Sequence, residues 1–383
     1  MDTKRIVIDA TYIQNVSGLR KSVALYLFRF LDNYKEKEHP NTNISILVRA
    51  SVFVFFTEKY GMRFSIINFE SKRISRISFI QSVVDAFFWQ KQVNKINCDT
   101  VYIPFVWIYN SFAINKKKIS TIHDLKPIRE LTTSYAKKVF WLKSLILRIF
   151  KYYFKKSLTN SNKIIAISNF VKEDVLHTFH HIEQKDIIVL YDGIKVDNLV
   201  TKPINELIGK KYILNVNTID EFKNTETLIR AFSLLKIEDL FLVLVGKETD
   251  YWNKTCKPLI NENVIRLDYV SNEELNWLYE NAYIFITPSK KEGLGYTPIE
   301  AAVRNCPVIS SKCEALPEST LNSVFYFEPA EDYNALKKQM ENVINLIEND
   351  KNFEKTIVKV GEKFRQRYSI NRFVDDIYKV LTE

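Results

Sequence analysis

The chain is poor in the two residues that punctuate backbones, with eight glycines and ten prolines among 383 residues. That scarcity excludes collagen-like and linker-rich classes, and no low-complexity tract or short-period repeat stands out. No run of about 18 apolar residues occurs, so no segment is expected to span a membrane. The opening Met1-Asp2-Thr3-Lys4-Arg5 enters an apolar strand pattern at once. It lacks the apolar stretch and small-residue cleavage site of a secretory signal. The four cysteines, Cys98, Cys256, Cys306 and Cys313, are scattered without a CxxC pair. Free thiols in a reduced, cytoplasmic protein are the expectation. Zinc-finger spacing, an RNA-binding aromatic motif and a basic tail are all missing, so nucleic acid is not an expected partner. Nor is there an Asp-x-Asp pair near a strand end, and neither a metal nor another cofactor is expected.

What is present is apolar and basic. Hydrophobic residues make up 46% of the chain, enough to bury two sizeable cores at this length. The net charge of +10 suits an acidic partner, whether nucleic acid, anionic lipid or a phosphorylated small molecule, and by itself does not choose among them. Short contiguous apolar runs alternate with helical patterns. Lys4 to Asp9, Asn43 to Val48, Phe64 to Phe69, Thr100 to Ile103, Lys118 to Ile122, Lys163 to Ile167 and Ile187 to Leu190 read as one series of strands. A second runs through Tyr212 to Val216, Leu240 to Val245, Val264 to Leu267, Tyr283 to Ile286, Pro307 to Ser310 and Val324 to Phe327. Contiguous apolar strands separated by helices predict an α/β protein with two parallel, doubly wound sheets. The polar segment from Lys195 to Lys210 is read as the linker, giving domains 1–195 and 196–365. In such sheets ligands sit beyond the carboxyl ends of the strands, so residues just after strands carry the functional argument.

The most informative segment follows Ile286: Thr287-Pro288-Ser289-Lys290-Lys291-Glu292-Gly293-Leu294-Gly295-Tyr296-Thr297-Pro298-Ile299-Glu300-Ala301-Ala302. Two of the few glycines stand within three residues, where a ligand can approach bare backbone. Pro298 is read as the first helical residue with Thr297 as its cap. Backbone N–H groups and a helix start then face an anion or sugar oxygens, and Glu292 and Glu300 offer carboxylates to paired hydroxyls. Thr297-x-x-Glu300 is also a capping box, in which Glu300 folds back on its own helix. Glu292 can equally be a solvated loop residue.

This stretch resembles the donor-binding signature of retaining glycosyltransferase family 4 (glycosyl transferases group 1): Pro-Ser, then Glu-Gly-x-Gly, then Pro-x-Glu-Ala. The match continues through Pro307-Val308-Ile309 and Ala315-Leu316-Pro317-Glu318, with Asn305 standing where the family usually has Gly. Asn tolerates the left-handed conformation better than most residues, so the turn can survive. The resemblance implies the GT-B architecture: two facing Rossmann-like domains with a cleft between them, and a last helix, 366–383, packing back on the N-terminal domain. It implies that Glu300 holds the ribose hydroxyls of a nucleotide-sugar donor, that Glu292 contacts the donor sugar, and that the Gly293, Leu294 and Gly295 amides bind sugar or phosphate oxygens.

The same resemblance covers other positions. His123 in Ile122-His123-Asp124-Leu125-Lys126-Pro127 would touch the transferring sugar, with Asp124 serving as a partner or merely a turn residue. Lys223, in Phe222-Lys223-Asn224-Thr225-Glu226, would bind the diphosphate. Gly18 in Val16-Ser17-Gly18-Leu19-Arg20 resembles a glycine-rich loop, or is a simple tight turn. Gly246 matches a donor-side turn, Tyr269-Val270 a base-contacting loop, and Ser168 a strand end or a helix cap. Two arginines common in the family are replaced by the Asn217-Thr218 stretch and by Phe222, so the phosphate clamp carries less charge.

The implied reaction moves a sugar from a nucleotide diphosphate to the hydroxyl of a saccharide or lipid-linked saccharide acceptor, with retention, in cell-surface polysaccharide or glycoconjugate synthesis. An inactive binding or partner subunit of the same fold, and a sugar-nucleotide epimerase, remain alternatives. From Lys137 to Lys156 seven basic residues and no acidic one interleave with Phe140, Trp141, Leu145, Phe150, Tyr152 and Tyr153. That composition fits either a helix lying on an anionic membrane surface, making the protein peripheral, or a core-packed helix with a basic outer side. His177, His180 and His181 read as the end of a surface helix rather than a metal site.

Overall fold

The computed structural model describes residues 3–383 apart from 21, 73, 75–77, 126–127, 129–140, 184–185 and 197–199. The chain divides into two compact units, one made of Met1–Gly193 with Ile370–Glu383 and the other of Ile194–Ser369. Each is an α/β unit around one parallel sheet.

In the first unit the strands are β1 (Lys4–Asp9), β2 (Thr42–Arg49), β3 (Ser65–Phe69), β4 (Thr100–Ile103), β5 (Lys117–Ile122), β6 (Lys163–Ala166) and β7 (Ile187–Val189), in the order β3-β2-β1-β4-β5-β6-β7. β1 pairs in parallel with both β2 and β4. Val7, Leu47, Val101 and Ile103 bury one face of the sheet against Ala86, Trp89 and Val93 of the helix Ser78–Lys95. The helix Ile370–Thr382 belongs to this unit and buries Phe373, Val374, Ile377, Val380 and Leu381. The Phe373 ring meets Tyr26 edge-on, 5.2 Å between centroids.

One buried cation stands out in this core. Lys118, fully buried on β5, donates to the carbonyls of Asn110 at 2.5 Å and Ser157 at 3.3 Å. Burial pushes its ammonium down to about 7, against the opposing pull of Asp9.

The second unit holds β8 (Lys211–Val216), β9 (Leu240–Val245), β10 (Val264–Leu267), β11 (Ile284–Thr287), β12 (Val308–Ser311) and β13 (Phe325–Phe327), in the order β10-β9-β8-β11-β12-β13. β11 and β12 are buried along their whole length, so neither alternates: Ile284-Phe285-Ile286 and Val308-Ile309 are contiguous apolar runs, followed by the buried polar residues Thr287, Ser310 and Ser311. Sheet residues Ile213, Leu242, Ile284 and Ile309 pack with Leu228 and Phe232 of the helix Thr225–Ser233 and with Met340 and Val343 of the helix Tyr333–Asn349. The strand order reverses between β8 and β11. The chain leaves β8 toward β9 and leaves β11 toward β12, the arrangement in which doubly wound sheets have a crevice at the carboxyl ends of the two neighbouring strands.

Asn305 shows how a local departure is absorbed. It adopts φ +60, the left-handed conformation expected of a turn glycine, and its Oδ1 accepts a hydrogen bond from Arg365 at 2.9 Å.

Candidate functional site

The loops after β8 and β11 meet at this crevice. After β8, the Asp220 carboxylate accepts hydrogen bonds from the Phe222 and Lys223 amides at 2.9 and 3.0 Å, capping the short 3-10 turn Glu221–Lys223. Asn224 follows in the left-handed conformation, φ +58. Its side-chain amide donates to the carbonyls of Pro288 at 3.0 Å and Ala330 at 2.7 Å, while its oxygen accepts from Thr227 Oγ1 at 2.8 Å. The buried Asn224 therefore ties the β8 loop to the β11 loop. A second tie is the Lys290 amide donating to the Phe222 carbonyl at 2.7 Å. A third is the Lys291 ammonium over the Phe222 ring, 4.6 Å from its centroid.

The result places Lys223 Nζ 2.5 Å from Glu292 Oε1. Both side chains are mostly buried, at 25% and 12% exposure. Burial opposes the lysine charge, but the facing Glu292 carboxylate and the nearby Asp220 outweigh it and hold the Lys223 pKa above its ordinary value. The Glu292 amide donates to Glu314 Oε2 at 2.7 Å, from the turn that follows β12.

Beyond Glu292 the chain turns at Gly295, whose φ of +83 lies in the glycine-favoured region. A Cβ there would stand 2.5 Å from Leu316 Cδ2, a side-chain end that would have to shift, so it is the conformation that calls for glycine. Leu294, between Glu292 and Gly295, is buried. The helix begins at Tyr296, with Gly295 as its N-cap. This corrects the expectation that Thr297 is the cap and Pro298 the first residue: both lie inside the first turn. It also removes the Thr297-x-x-Glu300 capping box, because the cap residue has no side chain. Glu300 Oε2 instead accepts a hydrogen bond from the Tyr279 hydroxyl at 3.0 Å. Burial, reinforced by Glu300, pushes the Tyr279 hydroxyl far above its usual pKa, so it stays a donor.

Gly246, Tyr269 and Val270 follow β9 and β10 and so lie at the same end of the same sheet. A Cβ on Gly246 would fall 2.0 Å from the Asn217 carbonyl, and its amide donates to Leu267 at 2.9 Å. Its glycine thus lets adjacent strand ends close up. Tyr269 is 72% exposed and Val270 half-buried.

Gly18 and His123 lie in the other unit. Gly18 sits in the 3-10 turn Val16–Arg20 with Asn15 Oδ1 accepting from its amide at 3.0 Å. The nearest atom to an added Cβ is 3.5 Å away, so this turn does not demand glycine. His123 follows β5 and is 8% exposed; its Nε2 stands 2.9 Å from the Pro104 carbonyl and donates to it, leaving Nδ1 as the acceptor. Burial lowers its pKa, partly offset by that carbonyl. Asp124 beside it is half-buried.

Ser168 caps the helix Asn169–Thr178 by accepting from the Val171 amide at 3.1 Å. His177 falls in the last turn of that helix, its ring 6.3 Å from that of His180. In the basic stretch, Lys137 and Phe140 lie outside the described residues, as do the side chains of Trp141 and Leu145 and, elsewhere, Arg20, Lys126 and Pro127. Of the rest, Phe150 packs on Trp107, Phe154 on Phe179 and Tyr153 on Phe112, while Tyr152 is 58% exposed. Among the described aromatic residues of this stretch, Phe154 is buried and Phe150 and Tyr153 are half-buried. Among the described residues no helix is long and apolar enough to cross a membrane.

Residues 201–360 match the family model described as glycosyl transferases group 1, and residues 52–198 match glycosyltransferase family 4. The chain is 26% identical over 260 residues to the O-antigen chain mannosyltransferase RfbU of Salmonella typhimurium, covering 63% of this chain and 72% of that one. It is 26% identical over 223 residues to the capsular polysaccharide biosynthesis glycosyltransferase CapM of Staphylococcus aureus, covering 52% and 56% respectively. Among solved structures, a glycosyltransferase from Rickettsia africae superposes with a TM-score of 0.73 at 20% identity, over 100% of this chain and 98% of that one. HepE from Anabaena, in complex with UDP-glucose, gives a TM-score of 0.71 at 13% identity, over 99% of each chain. At such identities the two structures speak for the fold alone.

Proposed function

This chain belongs to the group 1 glycosyl transferases, and on that premise we propose that it transfers a sugar from a nucleotide-diphosphate donor to a hydroxyl of a saccharide or lipid-linked saccharide, with retention. The relatives RfbU and CapM, named for O-antigen and capsular polysaccharide synthesis, support a role in building a surface polysaccharide. The observation that carries the reading is the Lys223–Glu292 pair at the switch point of a doubly wound sheet, beside a turn that requires glycine at 295.

In this reading the Lys223 ammonium and the amides of Gly293 to Gly295 stabilise the leaving diphosphate as the bond from the anomeric carbon to its oxygen breaks. The acceptor oxygen forms the new bond from the same face, and the departing phosphate takes the acceptor proton. Glu292 accepts hydroxyls of the donor sugar and Glu300 those of the ribose, with Tyr279 orienting the Glu300 carboxylate. Tyr269 and Val270 line the base, Gly246 permits the close strand ends beneath it, and Gly18 and His123 act from the N-terminal unit. No resident metal is invoked. At an anionic membrane surface, Arg148, Lys151 and Tyr152, which are exposed among the described residues of the helix Trp141–Thr159, would make contact.

Nucleotide release from a panel of nucleotide sugars, measured with and without a saccharide acceptor fraction, tests the proposal. Transfer requires release that depends on acceptor. Tight donor binding without turnover would point to a binding subunit, and donor isomerisation without acceptor to an epimerase.

A further inference from the structure

The turn after β12 is fastened to the loop after β11 by a set of short contacts. Ser311 Oγ and Cys313 Sγ both donate to the Ser289 carbonyl, at 2.5 and 2.8 Å. The Ala315 amide reaches the Glu292 carbonyl at 3.4 Å, and the Glu292 amide reaches Glu314 Oε2 at 2.7 Å. Glu314 makes its contact from φ +43, a region that glycine favours and that a long side chain rarely occupies. A residue held there needs a compensating interaction, and the charge-assisted hydrogen bond to the Glu292 amide supplies one. Glu292 is thereby held on its backbone by Glu314 while its carboxylate meets Lys223 at 2.5 Å.

We propose that Glu314 is a positioning residue that acts through Glu292, fixing the backbone from which the Glu292 carboxylate holds Lys223 in place for the donor. The inference rests on the donor seat proposed above for its functional meaning, but its structural content stands without any donor. Glu314 does not touch the reacting atoms in this scheme. It takes the amide of residue 292. It also sets the distance between the loop carboxylate and the lysine.

Three substitutions separate hydrogen bond, charge and backbone conformation. Glu314→Gln keeps an acceptor for the Glu292 amide. Glu314→Ala removes the acceptor and keeps a side chain at positive φ. Glu314→Gly removes the acceptor and relieves the backbone, so it should fold at least as stably as the parent even if Glu314→Ala does not. The primary readout needs no donor: acylation of Lys223 by an amine-reactive reagent in the intact chain, followed by mass spectrometry, with Glu292→Gln as the control that frees the lysine. Glu314→Ala and Glu314→Gly should label Lys223 several-fold faster than the parent, and Glu314→Gln at the parental rate. The donor KM should follow the same ranking, roughly tenfold higher in Glu314→Gly and within about twofold in Glu314→Gln. Parental labelling in Glu314→Gly overturns the inference, as does a Glu314→Gln protein labelling like Glu314→Gly. If the parent binds no nucleotide sugar, the donor reading fails, and the labelling result still decides the role of Glu314.

Discussion

Lys223 and Glu292 stand 69 positions apart in the chain and 2.5 Å apart in space, joined across the point where the second sheet reverses its strand order. The lysine follows β8 and the glutamate follows β11, so the pair measures whether the two halves of that sheet are correctly aligned at their carboxyl ends. A mostly buried ion pair of this kind is poor evidence for stability, because desolvation offsets much of its attraction. Its value lies in presenting a fixed cation beside a bare turn.

Substituting Lys223 by Ala should weaken donor binding by about 1.5–3 kcal/mol, roughly tenfold to a hundredfold, the range for a charged hydrogen bond. Glu292→Gln should cost less than the lysine change. The double variant should lose less than the sum, because the two side chains share one interaction. Calorimetric titration of the four proteins with a single nucleotide sugar measures the coupling. Additive losses would mean that the pair does not act as a unit.

Gly295→Ala forces a Cβ into the left-handed region and against Leu316. We expect a loss of about 1–3 kcal/mol in chemical denaturation, together with loss of donor binding. Gly18→Ala, at a position without positive φ or crowding, should leave stability within about 0.5 kcal/mol of the parent.

Much of this was legible in the sequence, and the reasons are physical. Contiguous apolar runs marked the buried parallel strands, and the glycine pair at 293 and 295 marked the turn, because a bare backbone has few substitutes there. Asn305 was readable for the same reason. The helix start was misplaced by two residues, since Thr-Pro is a good cap signal locally and the left-handed Gly295 took the cap first. Asn224 and Glu314 were not singled out at all. Their partners, Pro288, Ala330 and Glu292, are far away in the chain, and neither residue belongs to a spacing pattern. Asp220-x-x-Lys223 did carry a usable signal, an acidic cap preceding the lysine turn.

Lys118 makes stability depend on pH in an unusual direction. Its folded pKa of about 7 lies below the ordinary lysine value. Between the two, the unfolded chain binds the proton and the folded chain does not, so stability rises with pH by up to about 1.4 kcal/mol per unit across that window. Below about 7 both states carry the proton and the gain is absent. Lys118→Met should remove this slope, so parent and variant compared from pH 6.5 to 9 should diverge, with the parent gaining relative to the variant as pH rises. Parallel curves would contradict the assignment.

His123→Ala should lower kcat more than donor affinity, because the ring is held by Pro104 inside the N-terminal unit and the donor is assigned to the C-terminal unit. Steady-state kinetics alongside donor titration separate the two effects. Equal loss of both, with the fold intact by circular dichroism, would place His123 in donor binding.

The most direct test of the central claim is donor binding by the intact parent chain and by Glu300→Ala, titrated calorimetrically against a panel of nucleotide-diphosphate sugars. The account predicts that at least one donor binds the parent, and that Glu300→Ala, folded by circular dichroism but with a lowered thermal midpoint because the buried Tyr279 hydroxyl loses its acceptor, loses that binding by about tenfold or more. A panel in which no donor binds the parent, or in which Glu300→Ala binds as tightly, would contradict it.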